Sequence, residues 1–515
     1  MSSNSENNKR IAKNTLLLYI RMILLMVVTL YTSRVVLQVL GIEDFGIFNV
    51  VGGVVTMFAF INGGMVSATQ RYLTFELGRY NKSQLSRVFS TSLQIHAVIS
   101  LIVVVLAETI GLWFFYNKMV IPADRMVAAM WVYQCSVVAC VINIMSIPYN
   151  ADIIAHEKMS AFAYISIFEA SMKLFIVLLL VWVSIDKLVV YAILILLVQL
   201  IIRVIYSQYC YKHFEESRYV HRIDVSLFKE MAFFAGWSFW GNLAGVLSSQ
   251  GLNMMLNVFF GPVVNAARGI AVQVQGAVQQ FIINFQMALN PQITKNYAIA
   301  NIEQMHELMF RSARFSFFLL FFLTLPFLLE TNFLLTLWLN NVPENSVVFT
   351  QMMICISLLS AISNPCVVAN QATGEVKKYQ MVVGGLLLTI LPISYLVLLL
   401  GAPAYSVLVV HFSIESIAQF SRLYILKRQI KLSIRTFFVS VYFPIIITSI
   451  FATIIPVLLH YQFNEGWLRF IVVTLSSMVS VFLFVWFLGL HKNERAFIFQ
   501  HVLFFIKKRN KNGVL

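Results

Sequence analysis

Apolar residues in this chain come in long unbroken blocks, separated by short polar and mostly basic segments. Blocks of about 20 residues match a helix that crosses the hydrocarbon core of a bilayer. Reading them off predicts about 14 spans, at residues 14–38, 45–67, 88–112, 126–148, 161–184, 188–210, 232–259, 263–289, 312–333, 347–368, 380–400, 404–426, 437–459 and 469–490. An all-α polytopic membrane protein is therefore expected. The chain opens on a polar stretch, and the first apolar run is long, carries Arg21 and Arg34, and has no small-residue cleavage site. It is read as a retained helix and not as a removed signal peptide.

The polar residues inside the spans carry the functional information. Between Phe260 and Tyr297, Arg268, Gln275, Gln279 and Gln286 fall within roughly 20° of one another on an ideal helix. A polar line of this kind is costly in lipid unless it meets other helices, water or a polar ligand. Amides can act as glue between helices. Arg268 favours the alternative, the wall of a hydrated cavity, because a buried cation calls for a carboxylate or an anionic ligand. In the preceding span Asn242, Ser249 and Asn253 align in the same way, with Asn257 a little further round, so two consecutive helices suggest one aqueous wall.

Other polar positions admit a structural and a functional reading. Glu169 and Lys173, Gln199 and Arg203, and His411 and Glu415 are i,i+4 pairs. The first can neutralise itself or line the cavity, and Arg203 can face the cavity or equally snorkel to the cytoplasmic headgroups. His411, Glu415, His96 and Glu169, with Glu108, are candidate proton or sodium sites, although a lone histidine in a bundle is commonly a packing residue. Asn49, Thr56, Gly63 and Ser67 form a small-residue face suited to close helix contact. Pro148 and Pro365 are expected to end their spans, and Pro444 and Pro456 to bend theirs. The ninth span, rich in Phe and Leu, is expected to face lipid.

Sliding the chain on itself by about 220 residues aligns Gly41 with Gly261, the exit Ala68-Thr69-Gln70 with Ala288-Leu289-Asn290, and Pro148 with Pro365 within a few residues. Six spans separate the copies, so the repeats are expected to be parallel, related by an axis along the membrane normal. The expected organisation is a first six-helix lobe over 1–230, a second over 231–436, and two extra helices with an amphipathic tail over 437–515.

Composition agrees with this reading: of 515 residues, 59% are apolar and only 11% charged, which excludes an ordinary soluble domain. Arg71, Arg79, Lys82, Arg87, Lys212, Arg218, Lys377, Lys378, Lys427 and Arg428 gather on one side of the predicted spans. By the positive-inside rule that side, with both termini, is cytoplasmic. The net charge of +15 then reflects topology and anionic lipid, with no nucleic-acid partner. Cys135, Cys140, Cys210, Cys355 and Cys366 lack CxxC spacing, so neither metal nor disulfide is expected. No phosphate-cradling loop is present and no cofactor is expected. Outward loops are too short for a membrane glycosyltransferase or polymerase.

At Arg34 and Leu40-Gly41-Ile42-Glu43-Asp44-Phe45-Gly46, again at Gly261-Pro262-Val263-Val264-Asn265-Ala266-Ala267-Arg268-Gly269, and at Asn290-Pro291-Gln292-Ile293-Thr294-Lys295, the chain resembles the polysaccharide and O-antigen (Wzx-type) flippases of the MATE-like (MOP) exporter superfamily, relatives of the lipid II flippase. The resemblance implies two lobes, alternating access and an undecaprenyl-diphosphate-linked oligosaccharide as cargo in a bacterial cytoplasmic membrane. It implies a transporter and no enzyme, with a polysaccharide polymerase and other assembly proteins as candidate partners. Arg21, Arg34 and Arg268 would meet the diphosphate, by similarity to basic residues of related flippases. Asn242, Ser249, Asn253, Gln275, Gln279, Gln286 and Lys173 would serve the headgroup, and the tail would lie along the last two spans. The alternative is a MATE-type cation-coupled antiporter for drugs or organic cations, which would prefer a negatively charged cavity.

Overall fold

The computed structural model of the chain describes residues 14–29, 31, 32, 35, 36, 38–41, 44, 47, 48, 51, 62–119, 121–182, 184–218, 224–260, 262–339, 342–491 and 494–496. Arg34, most of the turn after Gly41, Asn49, Thr56 and the tail from Phe497 onward lie outside the described residues.

All regular structure among the described residues is helical. The first part of the chain forms α1 (Asn14–Thr29), α2 (Asn62–Gly78), α3 (Lys82–Leu106), α4 (Leu112–Lys118), α5 (Met126–Ala155), α6 (Met159–Leu180) and α7 (Lys187–His213). Then come α8 (Val225–Phe260), α9 (Pro262–Ala298), α10 (Ile302–Leu329), α11 (Thr331–Leu339), α12 (Ser346–Thr373), α13 (Val376–Leu399) and α14 (Ser406–Gln429). Last are α15 (Ile434–Phe437), α16 (Phe443–Gln462) and α17 (Trp467–Phe484). Ten helical stretches among the described residues are long and apolar enough to cross a membrane.

Several helices overrun their predicted ends. Pro148 and Pro365 do not stop their spans: α5 continues to Ala155 and α12 to Thr373, and α9 likewise passes Pro291 to reach Ala298. A proline removes one backbone hydrogen bond, and in a membrane helix the neighbouring turns and side chains re-satisfy the freed group, so the helix continues past it. Pro444 sits in the first turn of α16, directly after a π turn at Phe438–Tyr442.

The chain divides into two compact units, one of Met1–Leu247, Ile283–Met305 and Val368–Gly385, the other of Ser248–Ile282, His306–Val367 and Leu386–Leu515. In the first, α5 is the central helix, packing on α7, α2 and α3, while α6 leans on α7. Its core includes Phe89, Tyr149, Ile153, Tyr206 and Phe234, with Phe89 and Tyr149 edge to face at 5.2 Å. Arg125, at the head of α5, joins Asp44 to Asp186, which also caps α7 by accepting from the amides of Leu188 and Val189.

In the second unit α16 and α17 pack together, and Leu252, Leu256, Phe349, Met353, Val407 and Leu408 belong to one core cluster. The expected lipid-facing role of the ninth span is not met. In α10, Ser312, Ala313, Arg314, Ser316, Leu320 and Leu325 are all buried. The small residues admit neighbouring helices, and Arg314 ion-pairs with buried Glu494, so this face packs against protein.

Candidate functional site

In the first unit a cavity of about 420 Å³ lies among α1, α6 and α7, lined by Arg21, Ser166, Glu169, Lys173 and Tyr191 with aliphatic Val36. Arg21 sits 4.5 Å above the ring of Phe162. Glu169 accepts from Lys173 Nζ at 2.6 Å and from Gln199 Nε2 at 3.3 Å. The carboxylate is thus committed to two donors, and two cations against one anion leave the cavity with a positive balance. The guanidinium of Arg203 lies 4.1 Å over the ring of Tyr149.

In the second unit Arg268 of α9 reaches Ser249 of α8, donating from Nη2 to the carbonyl oxygen at 2.8 Å and to Oγ at 3.3 Å. Both residues belong to the polar lines expected from sequence. Arg268 is 5% exposed, its Nε has no acceptor, and no ion pair to it occurs among the described residues. A desolvated guanidinium with spare donors is an anion-binding group in search of an anion. Gln275 and Gln279 are half-buried and Gln286 is buried, in the first unit; Asn253 is half-buried, whereas Asn242 and Ser249 are exposed. The side chain of Asn257 lies outside the described residues.

The candidate ion sites find other partners. Glu415 pairs with Arg422 at 2.8 Å, two turns along the same helix, so its charge is matched from a position the i,i+4 reading did not consider. His411 is half-buried in α14. His96 is fully buried, and Nδ1 stands 2.7 Å from the Ser92 carbonyl. That bond requires a proton on Nδ1 and makes Nε2 the acceptor.

Sequence reasoning missed a larger cavity of about 810 Å³, which opens where α2 turns into α3 and is lined by Glu76, Lys82, His156, Glu216, Gln292 and Lys295 among others. Beside it, buried Glu157 accepts from Gln292 Nε2 at 2.5 Å and Lys295 Nζ at 2.8 Å, and its carbonyl accepts from Asn14 Nδ2 at 3.3 Å. The start of α1, the α5–α6 loop and the end of α9 are tied together here. The Asn290–Lys295 motif was therefore a signal for this lock, with Gln292 and Lys295 as its bolts. Arg71, expected only to set topology, is buried over the rings of Tyr72 and Phe75 and donates to the carbonyl of Ala372 at 3.2 Å.

The fold is that of the MATE-like transporters of the MOP superfamily. It superposes on an outward-facing multidrug resistance MATE family transporter with a TM-score of 0.71 and 12% identity, covering 82% of this chain and 96% of that one. A MATE protein in the bent conformation gives the same values. A MOP superfamily transporter from Pyrococcus furiosus Vc1 (DSM3638), in which reverse polarity of the binding pocket suggests a different function, gives 0.67 and 13% with the same coverage. The chain belongs to the polysaccharide biosynthesis protein family, whose pattern it matches over residues 9–296. No curated protein matches it significantly. With ten helices long and apolar enough to span a bilayer among its described residues, it is a multi-pass membrane protein.

Proposed function

We propose that this protein is a flippase that moves an undecaprenyl-diphosphate-linked oligosaccharide from the cytoplasmic to the outer leaflet of a bacterial inner membrane, both termini being cytoplasmic. The observation that carries the reading is Arg268, a buried guanidinium with spare donors and no carboxylate on it among the described residues. A diphosphate supplies the missing anion, and its oxygens match the planar donor fork. Arg21 and Lys173, around a cavity that also offers Ser166 and aliphatic side chains, fit a ligand with a charged head and an apolar tail. Transport proceeds by alternating access and breaks no covalent bond. Proton or sodium coupling would run through His411, which lies within electrostatic reach of both Arg268 and Glu415.

The test is export of surface polysaccharide in a strain that depends on this protein, beside leaflet exchange of a fluorescent undecaprenyl-diphosphate oligosaccharide in liposomes. Arg268→Ala is expected to abolish both, and Arg268→Lys, which keeps the charge and loses the fork, to keep part. Wild-type export by the Ala variant at equal protein level removes Arg268 from the mechanism. Efflux of organic cations without movement of the lipid-linked sugar replaces the flippase by an antiporter.

A further inference from the structure

We infer that Asp152, His156 and Glu216 form a binding site for one divalent transition-metal ion of the zinc or manganese kind. The three residues come from the last turn of α5, the residue just beyond it, and the 3₁₀ turn Glu215–Ser217 that follows α7. One ligand atom from each lies within 4.8 Å of the other two. His156 Nε2 stands 2.5 Å from Glu216 Oε1 and 3.7 Å from Asp152 Oδ1. The imidazole is held in this pose by stacking on Phe214, with centroids 4.0 Å apart and planes 7° from parallel.

Asp152 is the second, independent sign of a ligand. It is completely buried, and neither carboxylate oxygen has a hydrogen-bond donor. A carboxylate in that state is strongly unfavourable unless a cation sits on it or it takes up a proton. No lysine or arginine fills the role among the described residues. Lys82 is engaged with exposed Glu215 at 2.8 Å, and the guanidinium of Arg203 lies over Tyr149. Among the described residues the basic group on Asp152 is His156, which is shared with Glu216.

The donor set selects the ion. Magnesium and calcium take oxygen ligands, whereas imidazole with carboxylates suits zinc and, with more oxygens, manganese. Around zinc, bonds of about 2.0–2.2 Å put neighbouring donors roughly 3.3–3.5 Å apart. The His156–Asp152 separation is close to that already. Glu216 must withdraw by roughly 1 Å, as the ion takes the place of the proton between it and His156. His156 and Glu216 also line the 810 Å³ cavity, which gives the ion a path and a water for its remaining position. A bound ion would staple the end of α5 to the exit of α7, a structural role that leaves the cargo site untouched.

Full-length protein in detergent, freed of any histidine tag and stripped with chelator, is titrated calorimetrically with zinc and manganese chloride, with magnesium and calcium as comparators. Binding of one zinc or manganese ion per chain is expected, with a rise in thermal midpoint that chelator reverses, visible absorption on cobalt substitution, and no comparable heat from magnesium or calcium. Asp152→Asn and His156→Gln are expected to lose at least about tenfold in affinity, and Glu215→Gln, at the exposed neighbour, to lose none. Wild-type protein that takes up no ion stoichiometrically overturns the assignment, whatever the variants do. So does binding by Asp152→Asn at wild-type affinity.

Discussion

Arg125→Met tests whether one side chain locks the head of the first unit. Arg125 donates to both oxygens of Asp44, at 2.8 and 2.6 Å, and to both oxygens of Asp186, at 2.8 and 3.2 Å. Its side chain is 22% exposed, that of Asp44 18%, and that of Asp186 35%. The fork to Asp44 is a bidentate charged contact, worth about 1.5–3 kcal/mol. The contact to Asp186 is wetter and is discounted for screening to about 0.5–1 kcal/mol. Removing the guanidinium also leaves two carboxylates facing each other, so a loss of about 2–4 kcal/mol is expected.

The assay is thermal unfolding in detergent followed by a thiol-reactive dye, since Cys135, Cys210 and Cys366 are free and buried and report opening of the core. The apparent midpoint should fall by roughly 5 °C or more. Adding Asp44→Asn and Asp186→Asn should recover part of the loss by removing the stranded charges. A midpoint within about 1 °C of wild type refutes the assignment of a lock. The pH dependence has a definite sign. Burial pushes the Asp186 carboxyl up, but the Arg125 hydrogen bonds and the amides of Val189 and Leu188 outweigh it and hold it below its usual 3.8. The unfolded state therefore binds the proton first as pH falls. Asp186's contribution is complete above about pH 4, unchanged between pH 7 and 5, and lost as pH drops through the lowered folded value.

Substitutions at two further positions probe close packing and buried charge. Gly374 has a φ of +81°, and an added Cβ would stand 2.7 Å from Arg71 Nη2, so Gly374→Ala should cost about 1–2 kcal/mol from the left-handed backbone alone, read as a lower midpoint in the same dye assay. Glu330 is fully buried at its side chain and accepts from His460 Nδ1 at 2.8 Å and Arg469 Nη2 at 2.9 Å. Glu330→Ala leaves Arg469 only the looser contact to half-exposed Glu465 at 3.9 Å and should cost about 3 kcal/mol, while Glu330→Gln, which still accepts, should cost less; equal midpoints for the two variants would mean the ion pair carries little.

What could be read from the chain follows from what a bilayer penalises. Apolar blocks show at once because each must be about a membrane thick, and their all-helical outcome follows because lipid leaves backbone groups no other partner. Arg268 and Ser249 were legible for the same reason: polar side chains inside such blocks stand out, and helical periodicity put each on the line that does meet the other. Periodicity stops at the ends of one helix, and the misreadings begin there. Glu415 is matched by Arg422 rather than by the nearer His411, a choice made by side-chain reach and not by spacing. Pro148 and Pro365 were read by a rule whose cost neighbouring helices can remove. Glu157 lies 138 positions before the lysine that neutralises it, and His156 lies 60 before Glu216; no local pattern joins residues so far apart. The short loop at His156-Glu157-Lys158 therefore looked like a plain connection. In the fold its first two residues point into different polar clusters, one closed by Gln292 and Lys295, the other holding the unpartnered Asp152. A sequence tells where charge is costly in a membrane. Only the pairing of distant helices tells which charges are already matched, and the ones left over, Arg268 for an anion and Asp152 for a cation, are where ligands should be sought.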